Sequence, residues 1–236
     1  NRPAASLLGA VAMVTIGGLP LTDAYAAVDL DVIVFLLGVL LLAAHLEMGG
    51  FFEWAAERII ERMPSPRALL GAVVAVSGIL SAFFINDTIC LVLTPLLIAA
   101  VRPLGLRPLP FVLAVALASN VGSAMAITGN PQNMLVGIAS GISYARFMAM
   151  LAVPALGGLV IVYLVLARVH RSDLAVSLAG GRAAVPVAFD RPLVTRALVI
   201  FGGALTGWLV GLPLPADDAM PASTNGIRAP SDAPQS

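Results

Sequence analysis

Two polar stretches interrupt long apolar runs, and both are rich in groups that hold ions and small solutes rather than break bonds. The first is Asn86-Asp87-Thr88. A carboxylate inside a bilayer costs roughly 3 kcal/mol even on the mildest insertion scale, so Asp87 is a functional-site residue by default. The alternative role is a local one, with the three side chains capping the free N–H groups of a helix that starts there. The two roles are compatible, because a half-helix tip also presents the positive end of a dipole to an anion. The second stretch is residues 119–133, S-N-V-G-S-A-M-A-I-T-G-N-P-Q-N. Ser119, Asn120, Ser123, Thr128, Asn130, Gln132 and Asn133 supply uncharged oxygens and amides. Gly129-Asn130-Pro131 cannot continue a helix, because proline lacks the donor and biases its predecessor out of the α region. Backbone opened at membrane depth is tolerated only inside protein or beside a polar cavity. Freed carbonyls there suit a hard cation such as sodium, and amide N–H groups suit an oxyanion. Ser119 and Ser123 taken alone read as helix-packing residues; residues 128–133 read as a site.

Other candidate chemistry is thin. His45-Leu46-Glu47 stands near a membrane edge and does not form the H-E-x-x-H pattern of a zinc protease. Cys90, the single cysteine, reads as a small core residue. No nucleophile-plus-base pair and no phosphate loop is present, so an enzyme is not expected, nor any cofactor beyond a coupling sodium ion or proton.

The elements that must position these residues are membrane helices. Of 236 residues 59% are hydrophobic and 11% charged, and the mean hydropathy is +0.98. Such a chain is a polytopic, all-α membrane protein whose first partner is the lipid bilayer. Net charge is zero, every basic residue is Arg, and nucleic-acid binding gains no support. Residues 1–49 hold two spans, 4–22 and 30–46, the first loosened by Gly17, Gly18 and Pro20. Residues 50–66 form an amphipathic interfacial helix: Phe52, Ala55, Ala56, Ile59, Ile60 and Met63 share one face, with Trp54 as a headgroup anchor. Residues 68–101 would be about 50 Å long as one helix, too long for one crossing and short for two. A re-entrant hairpin turning at Asn86-Asp87-Thr88 fits this length. Residues 109–141 form the broken crossing, and the hairpin and broken helix make one unit, 67–142. Residues 143–214 supply two further spans around a polar loop, 170–191, the first bent at Pro154 and Gly157-Gly158. From 215 to 236 the composition turns to Pro, Ala, Ser, Asp and Asn and reads as disordered. With the interfacial helix and both hairpin ends in the cytoplasm, every arginine falls on that side except Arg146 and the tail's Arg228.

Two motifs give the chain a family resemblance. F-F-I-N-D-T-I-C-L-V-L-T-P, residues 83–95, is similar to the hairpin tip of the ion transporter superfamily, which includes arsenical pump membrane proteins, citrate transporters, sodium/dicarboxylate symporters and sodium/proton antiporters. A-S-N-V-G-S-A-M-A-I-T-G-N-P-Q-N, residues 118–133, resembles that group's unwound helix. The resemblance implies a scaffold, here the helices of 1–49, beside a transport unit (67–142), two inverted repeats of which this chain is one half, and an elevator-like movement. It implies a substrate and ion site at Asn86, Asp87, Thr88, Gly129, Asn130 and Asn133, with sodium at Asn86, Asp87, Gly129 and Asn130; Asn120, Ser123 and Thr128 join the candidate site from the polar pattern itself. It further implies secondary transport of a small anion, arsenite or a related oxyanion or a citrate-like carboxylate. A homodimer in a bacterial inner membrane is expected of the full-length carrier. Asp87 departs from the Ser-Asn-Thr tip of dicarboxylate symporters, and a carboxylate there would repel a dianion. The rival expectations are a sodium/proton antiporter and a truncated remnant that inserts without transporting.

Overall fold

The computed structural model describes residues 2–28, 30–176 and 189–210 and contains only helices and connections among them. Most of the loop expected at 170–191 and the whole tail from 215 lie outside the described residues. The chain is a multi-pass, all-helical membrane protein. Among the described residues, three helices are long and apolar enough to cross a bilayer: α5 (Pro66–Phe83), α9 (Tyr144–Val169) and α10 (Arg191–Val210). A fourth span results if the bent pair α3 (Leu30–Met48) and α4 (Phe51–Arg62) is counted as one.

Glycine and proline chemistry divides the first apolar run. Helix α1 (Arg2–Thr15) stops where Gly17 takes φ +78°, and α2 (Leu21–Ala26) restarts after Pro20. At 14 residues α1 is about 21 Å long, short of the roughly 30 Å hydrocarbon core. Another glycine makes the elbow between α3 and α4. Gly50 has φ +74°, a conformation that a side chain disfavours, and the two helices meet there at 63°. Beyond the elbow α4 buries Phe52 and Ala56 and exposes Arg58 and Arg62. Glu53 and Glu57 are half-buried, each with one carboxylate oxygen out of contact with any hydrogen-bond donor.

Helix α5 starts with Ser65 Oγ accepting from the Ala68 N–H and Pro66 in the first turn, a regular N-terminus. It ends at Phe83, two extended residues follow, and α6 (Asn86–Val101) begins. Val73, Ser77, Leu93 and Leu97 line one small void together with Ala55, Ala56 and Ile59 of α4. Val73 and Leu97 stand equally far in sequence from Ile85, as do Ser77 and Leu93. The two helices therefore run antiparallel about Ile85, and their outer ends, at Arg67 and Arg102, lie on the same side.

Helix α7 (Leu109–Ser123) packs along α5. The crossing is close because both partners are glycine: a Cβ on Gly122 would collide with the backbone of Gly78. Ser81 Oγ donates to the Ser119 carbonyl at 2.7 Å across the same junction. Helix α9 continues without interruption through Pro154 and packs on α5 and α7, with Leu159 over Gly78 and Val121 over Gly158. At the loop end, Asp173 is 3.2 Å from Arg107 Nη1 and 3.2 Å from His170 Nδ1, which holds the α6–α7 connection against the turn after α9.

Candidate functional site

After α7 the chain leaves the helix for residues 124–130, with one 3-10 turn at Ile127–Gly129, and resumes as α8 (Pro131–Ser140). The break is held by side chains. Asn130 is extended (φ −159°, ψ 161°) and its Oδ1 accepts from the Asn133 N–H at 2.9 Å, while Pro131 fills the first helical position. Asn133 Nδ2 reaches back to the carbonyls of Ser123 and Ala126, both at 2.9 Å, and so closes the frayed end of α7. Gly129 lies against the Ser123 backbone, with 2.7 Å between an ideal Cβ and the Ser123 carbonyl carbon, so no other residue fits there.

Thr128 is fully buried and ties three elements together. Its Oγ1 donates to the Ala82 carbonyl near the end of α5 at 3.0 Å and pairs with the Tyr144 hydroxyl at 2.9 Å. Tyr144 in turn lies against Trp208 of α10, and Trp208 meets Phe35 of α3 edge-on. Around this network Ala82, Ile85, Ala126, Ile127, Met134 and Phe147 form a buried apolar cluster. No local feature of the sequence points to Tyr144, Ala82 or Ser81. The one available signal was general: a buried tyrosine hydroxyl needs a partner.

The hairpin tip stands beside this break. Asn86 Nδ2 is 3.4 Å from Asn120 Oδ1, a weak contact. Ile85 is the residue preceding α6, so Asn86, Asp87 and Thr88 form its first turn instead of its cap. Asn86 Oδ1 accepts from the Asp87 N–H at 2.9 Å. The N–H groups of Asn86 and Thr88 find no acceptor among the described residues. Asp87 is exposed, and its carboxylate forms no hydrogen bond or ion pair among the described residues. Its position in a first turn is the one where a helix favours negative charge. One turn further on, Cys90 Sγ lies 3.0 Å from Ser119 Oγ.

The predicted residues thus divide by what their atoms have left to offer. Ser123 Oγ donates to the Asn120 carbonyl and Ser119 Oγ to the Ala116 carbonyl; both serines are fully buried. Thr128 and the amide nitrogen of Asn133 are likewise committed to protein partners. The free capacity lies elsewhere. Asp87 and the amide nitrogens of Asn86 and Asn120 are at the tip. In the break, the carbonyl oxygens of Ile127, Thr128 and Gly129 accept no hydrogen bond from the described residues. Ile127 and Thr128 are fully buried, and buried carbonyls without donors are uncommon. Such oxygens are suited to a hard cation. Among the described residues no group of three or more His, Cys, Asp or Glu could hold a transition metal.

The citrate transporter family model matches residues 1–231, nearly the whole sequence. The chain belongs to the citrate transporter family. The family is one of transporters rather than enzymes, and several relatives are named transporters. A putative transporter, arsB, of Dictyostelium discoideum is 28% identical over 174 residues, 74% of this chain and 31% of its own length. A silicon efflux transporter of Oryza sativa subsp. japonica is 33% identical over 174 residues, 74% of this chain and 36% of its own length. An inner membrane protein of Escherichia coli, YbiR, is 33% identical over 141 residues, 60% of this chain and 38% of its own length. The chain spans about a third of the length of these relatives. Membership of the family agrees with the superfamily that the two motifs at 83–95 and 118–133 resemble.

Proposed function

We propose that the chain forms a substrate- and ion-binding unit of a secondary carrier in a bacterial inner membrane, moving a small anion coupled to sodium or protons. The observation that carries this reading is the meeting of two helix discontinuities, the hairpin tip at Asn86-Asp87-Thr88 and the break at 124–130. Unpaired carbonyls of Ile127, Thr128 and Gly129, with Asn130 beside them, would hold the cation. The uncapped N–H groups of α6 and the Asn86 and Asn120 amides would hold the anion. A site built in this way is typical of carriers whose broken helices end at the bilayer midplane. Arsenite or a related oxyanion is the first substrate class, in line with an arsB-named relative and a silicon efflux transporter; a citrate-like carboxylate is the second, in line with the family's description. The unpartnered Asp87 favours one further reading, sodium/proton antiport without an anion.

The test uses the natural polypeptide containing this segment, reconstituted in liposomes with an imposed sodium or proton gradient. Gradient-driven movement of arsenite, silicic acid or citrate is the expected result. Sodium-driven pH change with no flux of any of the three would replace the anion carrier with the antiporter. No response to either gradient would refute both.

A further inference from the structure

We propose that the outer end of the α5–α6 pair is a docking site for one anionic phospholipid, its phosphodiester held between Arg67 and Arg102 with Arg62 at the edge. The argument begins with unpaired charge. All three arginines are exposed, and none forms an ion pair or hydrogen bond among the described residues. Between Arg62 and Arg107 the one acidic residue of the chain is Asp87, at the opposite end of the two helices. On α4, Glu53, Glu57 and Glu61 lie about 180°, 140° and 100° around the helix from Arg62, so none shares its flank. Asp173, beside the α6–α7 connection, is engaged by Arg107 and His170.

Arg67 and Arg102 are neighbours because of how the two helices return on each other. They stand nearly equally far in sequence from Ile85, about which α5 and α6 run antiparallel, with Val73 and Leu97 meeting at one void. Packed helices lie about 8–10 Å apart, axis to axis. One phosphodiester can span two guanidiniums at that spacing, since each offers a planar fork of donors matched to its oxygens. The surroundings select a lipid over a free phosphate. Towards the tip, α5 and α6 carry no further charge before Asp87, and Ala75, Ile79 and Leu91 are exposed on the way, an apolar surface for acyl chains. Beside the pair, amphipathic α4 sets the exposed Trp54 at headgroup height. The site also lies on the side that the arginine bias makes cytoplasmic, the leaflet face where anionic lipid draws basic residues.

The experiment is native mass spectrometry of the natural protein in detergent, titrated with dioctanoyl phosphatidylglycerol and, for comparison, with dioctanoyl phosphatidylcholine and glycerol phosphate. The first phosphatidylglycerol should bind more tightly than either comparison. Arg67→Gln and Arg102→Gln should each weaken that first step by about fivefold, the contribution of one basic residue near a charged leaflet. Arg67→Lys, which keeps the charge and loses the fork, should fall between. Arg146→Gln should leave it unchanged, because Arg146 is near the start of α9, about 35 Å from the end that Asp173 ties to Arg107. Equal binding of phosphatidylglycerol and phosphatidylcholine would overturn the assignment without any variant, so a poorly folded mutant does not spare it. Glycerol phosphate bound as tightly as the lipid would overturn it too, as would unchanged affinity in both glutamine variants. None of these arms measures transport, so the outcome is independent of the carrier reading.

Discussion

The close crossing of α5 and α7 makes a sharp prediction for Gly122→Ala. The added Cβ would sit 2.6 Å from the Gly78 carbonyl carbon, whereas ordinary contact begins at 3.4 Å. Both sides of the contact are backbone, so no rotamer change relieves it, and because the Gly78 oxygen and Cα are nearer still, the helices must part by about 0.8 Å or more. The Ser81–Ser119 hydrogen bond, 2.7 Å in the structure, would then reach about 3.5 Å, the limit of a real bond. The Asn86–Asn120 contact, already 3.4 Å, would be lost. Overpacking contributes about 1–3 kcal/mol and the buried hydrogen bond about 1, so a loss of about 2–4 kcal/mol is expected. Cys90 provides the readout, since it is the only cysteine and its Sγ lies 3.0 Å from Ser119 Oγ at this junction. Detergent-solubilised Gly122→Ala should react faster with a thiol dye at room temperature, and its melting midpoint should fall by several degrees. Gly157→Ala is the control, because nothing lies within 4 Å of a Cβ there, and it should behave as wild type. If Gly122→Ala matches wild type in both labelling rate and melting, the helix crossing described here is wrong.

Three other outcomes follow from individual atoms. Asn133→Asp replaces a donor to the Ser123 and Ala126 carbonyls with an acceptor; it should destabilise by about 2–4 kcal/mol in thermal melts, whereas an effect below about 0.5 would show that the break is held otherwise. Thr128→Val strands the Tyr144 hydroxyl and the Ala82 carbonyl, whereas Tyr144→Phe removes one donor and leaves Thr128 bonded to Ala82. The first should therefore cost about 2–3 kcal/mol and the second about 1, and the reverse order would refute the network. Single cysteines replacing Pro64 and Pro103, in a Cys90→Ser background, flank the antiparallel pair α5–α6. They should be labelled by an impermeant thiol reagent from the same side of the membrane, and opposite-side labelling would mean that the pair does not turn back within the bilayer.

What the sequence disclosed was local chemistry. A polar triplet in an apolar run marked the hairpin turn only approximately, since the break falls at Phe84-Ile85 and the triplet opens α6, whereas Gly-Asn-Pro marked the interruption before α8, which the proline enforces. The amphipathic pattern placed the start of α4 within a residue but ran four residues past its end at Arg62. The sequence did not disclose which atoms were already spoken for. Ser81 finds Ser119 across 38 positions, and Thr128 finds Ala82 across 46, so no window along the chain contains both partners. That is why hydroxyls read as ligands, Ser123 and Thr128 among them, are bonded to backbone carbonyls. It is also why the unbonded carbonyls of Ile127–Gly129 could be expected only as a class. The first apolar run was misjudged for a different reason. Gly17, Gly18 and Pro20 looked like loosening within one span, but the positive φ at Gly17 ends α1 outright.

The elbow at Gly50 also bears on where this protein sits in lipid. The Asp190 N–H donates to the Gly49 carbonyl at 3.0 Å, and the Asp190 side chain accepts from the Leu193 N–H at 3.1 Å. A Cβ on Gly49 would come within 2.6 Å of Val194, so the start of α10 is seated directly on the elbow. An amphipathic helix finds its own level at the boundary between headgroups and acyl chains. Through the elbow that level is passed to α10, whose 20 residues reach about 30 Å, with nothing adjustable between them. A thicker or thinner bilayer must then be met by tilting α10 or by lifting α4 from its level, each at fractions of a kcal/mol per Å. The acyl-chain length of the host membrane thereby becomes a variable that acts on the aromatic contact between Trp208, near the far end of α10, and Tyr144.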